Sequence, residues 1–146
     1  MDSRWGSREE NLRAHRQRGR INSMDSDSTT RIAQLKELLL KFRDERDWKQ
    51  FHDPKNLAEA ISIEAAELLE LFLWKSPEDV AHLLGSDGKF KDAVEEEFAD
   101  ILCFILNFAN AANIDVSSAV KSKIEKNRKK YPVEKAKGSA AKYDQL

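Results

Sequence analysis

A single cysteine, Cys103, excludes an internal disulfide and gives no reason to place the chain in an oxidising compartment. It lies in the apolar run Ile101 to Phe108, where a buried, inert thiol is expected. No stretch approaches the ~20 apolar residues that span a bilayer. The N-terminus lacks the apolar core of a signal peptide. No membrane partner is therefore expected, and a cytoplasmic location is the default. Charge of one sign is also missing: the formal net charge is -1, although 35% of residues are charged. Such a surface favours solubility and gives no overall attraction to nucleic acid or anionic lipid.

The 146 residues suggest one domain with polar ends. Residues 1–28 hold six arginines and almost no aliphatic side chains, too little apolar surface to offset the entropy of ordering. A nucleic-acid-binding arm is one reading of this segment. A disordered extension, or a leader with Met24 as the native start, is favoured because Trp5 is its only aromatic. Residues 29–131 form the expected helical domain, and 132–146 a polar, loosely held tail.

Within the domain, apolar residues recur at helical spacing. Ile32, Leu35, Leu39 and Phe42 mark a first helix, capped by Thr29 or Thr30 and fading near Trp48 to His52. A second helix is predicted from about Asn56 to Trp74. Ser76-Pro77-Glu78 reads as cap, first-turn proline and first-turn acid of a short helix to Leu84, ended by Gly85. A turn over 86–88 leads to a third long helix, Lys89 to Ala112, with Asn113 at its end. Asp115 caps a fourth, Val116 to Lys130, stopped by Tyr131-Pro132. No strand-like alternation occurs. Four substantial helices with short connections predict an all-α four-helix bundle.

Two of these helices carry acids where core residues belong. On the second, one line reads Leu57, Ile61, Glu64, Leu68, Leu71, and its neighbour Ala60, Ile63, Glu67, Leu71, Trp74. On the third, Val94, Glu97, Ile101, Phe104 and Phe108 form a stripe flanked by Asp100. Each pair of acids is three residues apart and shares a face. At ~6 Å and an effective dielectric of ~20, each close pair of carboxylates costs roughly 3 kcal/mol. Either they protonate, or basic side chains reach in, or a divalent cation fills the space. Few basic residues lie on these stripes, which favours the cation. An all-carboxylate site suits Mg²⁺, or Mn²⁺ as substitute. A di-iron bundle needs Glu-x-x-His motifs, and the residues three after Glu64 and Glu97 are Glu67 and Asp100.

A carboxylate-held Mg²⁺ typically engages phosphates. The fourth helix supplies Lys123, Asn127, Lys130 and Tyr131 on neighbouring positions, although lysines also suit a helix C-terminus by dipole alone. Trp48, Phe51 and Trp74 fall at helix ends, next to the loop holding His52, and such rings can stack on a base. Their plainer role is to cover a small core.

Together these residues resemble the MazG-like all-α NTP pyrophosphatases, and most closely the dCTP pyrophosphatase group. The resemblance covers about Thr29 to Tyr143. It is carried by Arg46-Asp47-Trp48-Lys49-Gln50-Phe51-His52, Glu64-Ala65-Ala66-Glu67, Glu97-Phe98-Ala99-Asp100 and the run from Lys123 to Pro132. It implies hydrolysis of a nucleoside triphosphate to the monophosphate and pyrophosphate, with Mg²⁺ on Glu64, Glu67, Glu97 and Asp100. It implies water attack at the α-phosphate, with Glu64 or Glu67 as the catalytic carboxylate. Lys123, Asn127, Lys130 and Tyr131 would hold the phosphates, and Trp48, Phe51, His52 and Trp74 would surround the nucleoside. It implies a homodimer or homotetramer, a dNTP substrate with dCTP first, and a house-cleaning role. Leu39 departs from the pattern, because some dCTP-preferring relatives carry His there. The alternative is a non-catalytic helical dimerisation module, which leaves the interrupting acids without a purpose.

Overall fold

Asp53 and Pro54 decide where the acid-bearing second helix begins. The computed structural model describes residues 26–145, and the Arg-rich segment lies almost wholly outside the described residues. Asp53 caps the helix, accepting from the N–H groups of Lys55 (2.9 Å) and Asn56 (3.1 Å). Proline at the first position needs no donor there, so the helix starts two residues before Asn56.

The described residues form six α-helices and no strand: α1 Ile32–Asp44, α2 Pro54–Phe72, α3 Pro77–Ser86, α4 Gly88–Ala111, α5 Val116–Lys130 and α6 Val133–Ala136. Neither predicted threonine caps α1, whose first residue is Ile32; Thr29 instead closes a turn with Ser26. Ser76 and Asp79 form the capping box of α3. Gly85 does not stop that helix. Asp87 ends it, donating its N–H to Leu83, and its carboxylate then caps α4 through the N–H groups of Lys89 and Phe90. The turn expected over 86–88 thus shrinks to one residue.

Two left-handed residues close long helices. Asp47 (φ 53°) follows α1, and Asn113 (φ 52°) follows α4. In each case the next N–H reaches back five residues, Trp48 to the Arg43 carbonyl and Ile114 to the Ala109 carbonyl. This motif brings Trp48 against Phe42, ring centroids 6.0 Å apart and edge to face.

Packing is centred on α4. Its longest interface is with α2, and α1 and α3 flank it. Phe72 meets Phe90 at 6.0 Å near one end. Asn110 donates to the Lys36 carbonyl, and the Lys36 ammonium to the Ile114 carbonyl, which ties α1 to the other end. Among the described residues only Leu57, Leu106, Ala109 and Asn107 are fully buried. The fold is all-helical as predicted, with α5 set at an angle to α4. The chain turns by 101° between α4 and α5. Helix α5 makes only glancing contacts, and its Val120 and Ile124 are about half exposed. The tail is less loose than expected: Tyr143 packs edge to face on Tyr131, with the Lys130 ammonium 4.6 Å from its ring. Among the described residues no single helix is long and apolar enough to cross a membrane.

Removing the Asp53 cap frees two N–H groups at the start of α2. Asp53→Ala is expected to lower stability by about 1 kcal/mol, read by thermal or urea denaturation.

Candidate metal centre and nucleotide site

Helix α2 presents Glu64 and Glu67 one turn apart, and α4 presents Glu97 and Asp100 likewise. One carboxylate oxygen from each of Glu64, Glu67 and Glu97 falls within a mutual 4.8 Å. Asp100 lies close enough to act electrostatically on Glu64 and Glu97. Partial burial pushes both of those carboxyls above their ordinary range. The Glu67 and Asp100 charges push them further, joined by Glu97 in the case of Glu64 and by Glu96 in the case of Glu97. Among the described residues no basic side chain is among the causes of either shift.

The acids converge as the stripes predicted, but not in an enclosed core. Glu64 and Glu97 are half-buried, while Glu67 and Asp100 are exposed. The reason is the course of α5, which turns away instead of closing the fourth side. The donor set still fits a hard divalent cation: all oxygen, three acids at ligand spacing, and no ion pair to any of the three among the described residues. Cys103, one turn beyond Asp100, is half-buried, and burial raises its thiol pKa, as an inert thiol requires.

The remaining predicted residues form separate groups. Lys123, Asn127 and Lys130 are exposed on α5, with Tyr131 just after it. Trp48 and His52 do come together, ring centroids 6.4 Å apart. Desolvation, and then the Arg43 charge, holds the His52 pKa below its usual value, so the ring is neutral at physiological pH. Phe51 is exposed beside them. Trp74 is elsewhere. It follows α2, and that helix of 19 residues puts ~28 Å between its ends. The expectation that Trp74 lies next to the His52 loop therefore fails within one chain, because α2 is continuous between them. Trp74 is 94% exposed and sits at φ 62°, an unfavourable arrangement for a large side chain with no neighbour to cover it.

Sequence reasoning also passed over Asn107, which is only 7% exposed. Among the described residues, its Oδ1 and His52 Nδ1 are the buried side-chain polar atoms without a hydrogen-bond partner. The signal in the sequence was a polar residue on the apolar face of α4, in line with Asp100.

Comparison with known proteins gives a consistent result. The sequence profile of the MazG-like family matches residues 60–146. The chain is 39% identical over 115 residues to the dCTP pyrophosphatase 1 of Bos taurus, covering 79% of this chain and 68% of that one. The human dCTP pyrophosphatase 1 is 36% identical over the same length, 79% of this chain and 67% of its own. The crystal structure of a pyrophosphatase from Archaeoglobus fulgidus superposes with a TM-score of 0.64 at 42% identity, covering 77% of this chain and 99% of that one.

Because Glu64 holds its proton more tightly folded than unfolded, its contribution to stability is present below about 4.5 and is lost as pH rises through its raised range. Metal-free Glu64→Gln is therefore expected to melt higher than wild type at neutral pH. The gap should close as pH falls toward 4.5. Melting curves across pH in chelator measure it.

Proposed function

The chain belongs to the MazG-like family and is a nucleoside triphosphate pyrophosphatase, and on that premise we propose that it hydrolyses dCTP or a related dNTP with Mg²⁺ held by Glu64, Glu67, Glu97 and Asp100. The observation that carries this reading is the convergence of three carboxylates with ligand oxygens within 4.8 Å of one another. Mg²⁺, or Mn²⁺ in its place, would supply neutralisation of phosphate charge and activation of water. The protein's residues do the rest. Glu64, its carboxyl raised by its neighbours, orients a water and takes its proton, with Glu67 as the other candidate. The water oxygen bonds to the α-phosphorus, the bond from that phosphorus to the bridging oxygen breaks, and pyrophosphate departs. The nucleoside monophosphate remains. Lys123, Asn127, Lys130 and Tyr131 bind the phosphates, while Trp48, Phe51, His52 and Trp74 contact the nucleoside. Cleaning the nucleotide pool is the corresponding cellular role.

This assignment predicts Mg²⁺-dependent release of one pyrophosphate per dNTP consumed, greatest with dCTP in a panel of all common NTPs and dNTPs. Glu97→Gln or Asp100→Asn should lower turnover by at least about 100-fold while leaving helicity unchanged. Normal turnover in those variants would remove the acids from the site. If the chain were a non-catalytic dimerisation module, neither Mg²⁺ nor a non-hydrolysable nucleotide would raise its melting temperature.

Self-association is part of the same proposal. Val120 and Ile124 of α5, with Ile63 and Leu69 of α2, leave apolar surface on two helices that the chain does not cover. A homodimer, or a homotetramer built from it, would cover these faces. It would also bring one copy's Trp74 and α5 to the acids of another. Mixing Glu97→Gln protein with Trp74→Ala protein is expected to restore about a quarter of wild-type turnover, the share of intact sites from random pairing. No recovery on mixing would place each site within one chain.

A further inference from the structure

We propose that Asn107 is the residue that reads the base, its Oδ1 accepting a hydrogen bond from the exocyclic amine of cytosine or adenine. The inference rests on the pyrophosphohydrolase reading and goes on to name the edge of the substrate that is recognised.

The argument starts from an unmet need. Asn107 is 93% buried, because its exposure is 7%, and its Oδ1 has no partner. A buried acceptor without a donor is costly, and leucine or alanine at this position would avoid the cost. Its neighbours Leu106 and Ala109 are buried and apolar. The carbonyl is therefore buried with no donor among the described residues.

The register of the helices says where it points along the bundle. Phe72 meets Phe90, and Glu64 feels the Asp100 charge ahead of that of Glu97, whose largest acidic influence is Glu67. Helices α2 and α4 are thus antiparallel. Two turns further along, the same register sets Asn107 opposite Leu57, the most buried side chain. That is the end of α2 that begins at Pro54, next to His52 and Trp48. His52 Nδ1 is the other buried polar atom without a partner among the described residues. Two unpaired atoms and an indole are therefore gathered at one end of the acid-bearing pair of helices.

Distance agrees. Asp100 and Asn107 are seven residues apart, on one face of α4 with Phe104 between them. Seven residues of helix span ~10 Å. An α-phosphate and the Watson–Crick edge of its own base are separated by a comparable length. An amide can both accept from an amino group and donate to the adjacent ring nitrogen, which cytosine and adenine offer on one edge. Thymine and uracil carry a carbonyl where those bases carry the amine.

The test compares kcat/KM for dCTP, dATP and dTTP in wild type, Asn107→Leu and Asn107→Ala, each with Mg²⁺, alongside melting temperature. Wild type is expected to prefer dCTP or dATP over dTTP, and both variants to shrink that ratio by about 10-fold or more. Asn107→Leu keeps the number and branching of side-chain heavy atoms, and Asn107→Ala serves if the bulkier leucine does not fold. A ratio within twofold of wild type in a folded variant overturns the inference, as does a wild type that treats the three nucleotides alike. An unchanged ratio in a folded variant whose melting temperature is unchanged or lower would identify a water-bonded core residue instead. Pyrophosphate release that continues with an unchanged ratio sinks the role of Asn107 alone. A wild type that hydrolyses no nucleotide sinks both readings.

Discussion

Mutual repulsion among Glu64, Glu67 and Glu97 is the constraint around which the rest of the molecule is arranged. Oxygen atoms from three carboxylates lie within 4.8 Å of one another, with Asp100 adding to the field. Isolated acids of this kind would rotate away into water. These are held by rigid supports: α2, fixed at its start by Asp53 and Pro54, and α4, fixed by Asp87 at one end and by the Asn113 turn at the other. The α2–α4 interface is the longest in the chain, and it opposes the charges it carries. A stable hydrophobic contact thereby maintains an unfavourable electrostatic one, which a divalent cation can turn into a favourable site.

A second constraint comes from covering too little. Four residues are buried among those described, whereas Phe98 and Leu69 are more than half exposed and Trp74 almost wholly so. Burial of apolar side chains is the main favourable term in folding. A helical chain that leaves this much uncovered calls for further apolar surface. The proposed second copy would meet the structural need and the chemical one together, since the residues proposed to hold the phosphates and to stack on the base, on α5 and at Trp74, lie on the uncovered parts.

Much of this was legible in the sequence, for local reasons. Helical periodicity, the Ser76-Pro77 start, the Asp115 cap and the Asn113 stop depend on neighbours within a few residues, and all are present. The inward-leaning acids were visible because they break a stripe whose other members are apolar. What depended on the distant course of the chain was not. The period of α5 says which of its faces is apolar but nothing of the angle at which it leaves α4. Trp74 was grouped with Trp48 because both end helices, yet an uninterrupted helix separates them. Gly85 looked like a stop, but the helix runs on to Ser86, and the Asp87 carboxylate starts the next helix at once. Asn107 lies on the helix face in line with Asp100, but its burial without a partner cannot be read from spacing.

The elbow at Asn113 also acts as a lever. Helix α5 has 15 residues and is therefore ~22 Å long. A change of only ~10° at the bend would carry its far tip, with Lys130 and the Tyr131–Tyr143 pair, through ~4 Å. A single left-handed asparagine with two short backbone hydrogen bonds thus sets the position of several cationic groups. Altering that one corner would redirect every lysine of α5 while leaving each where it stands in the sequence.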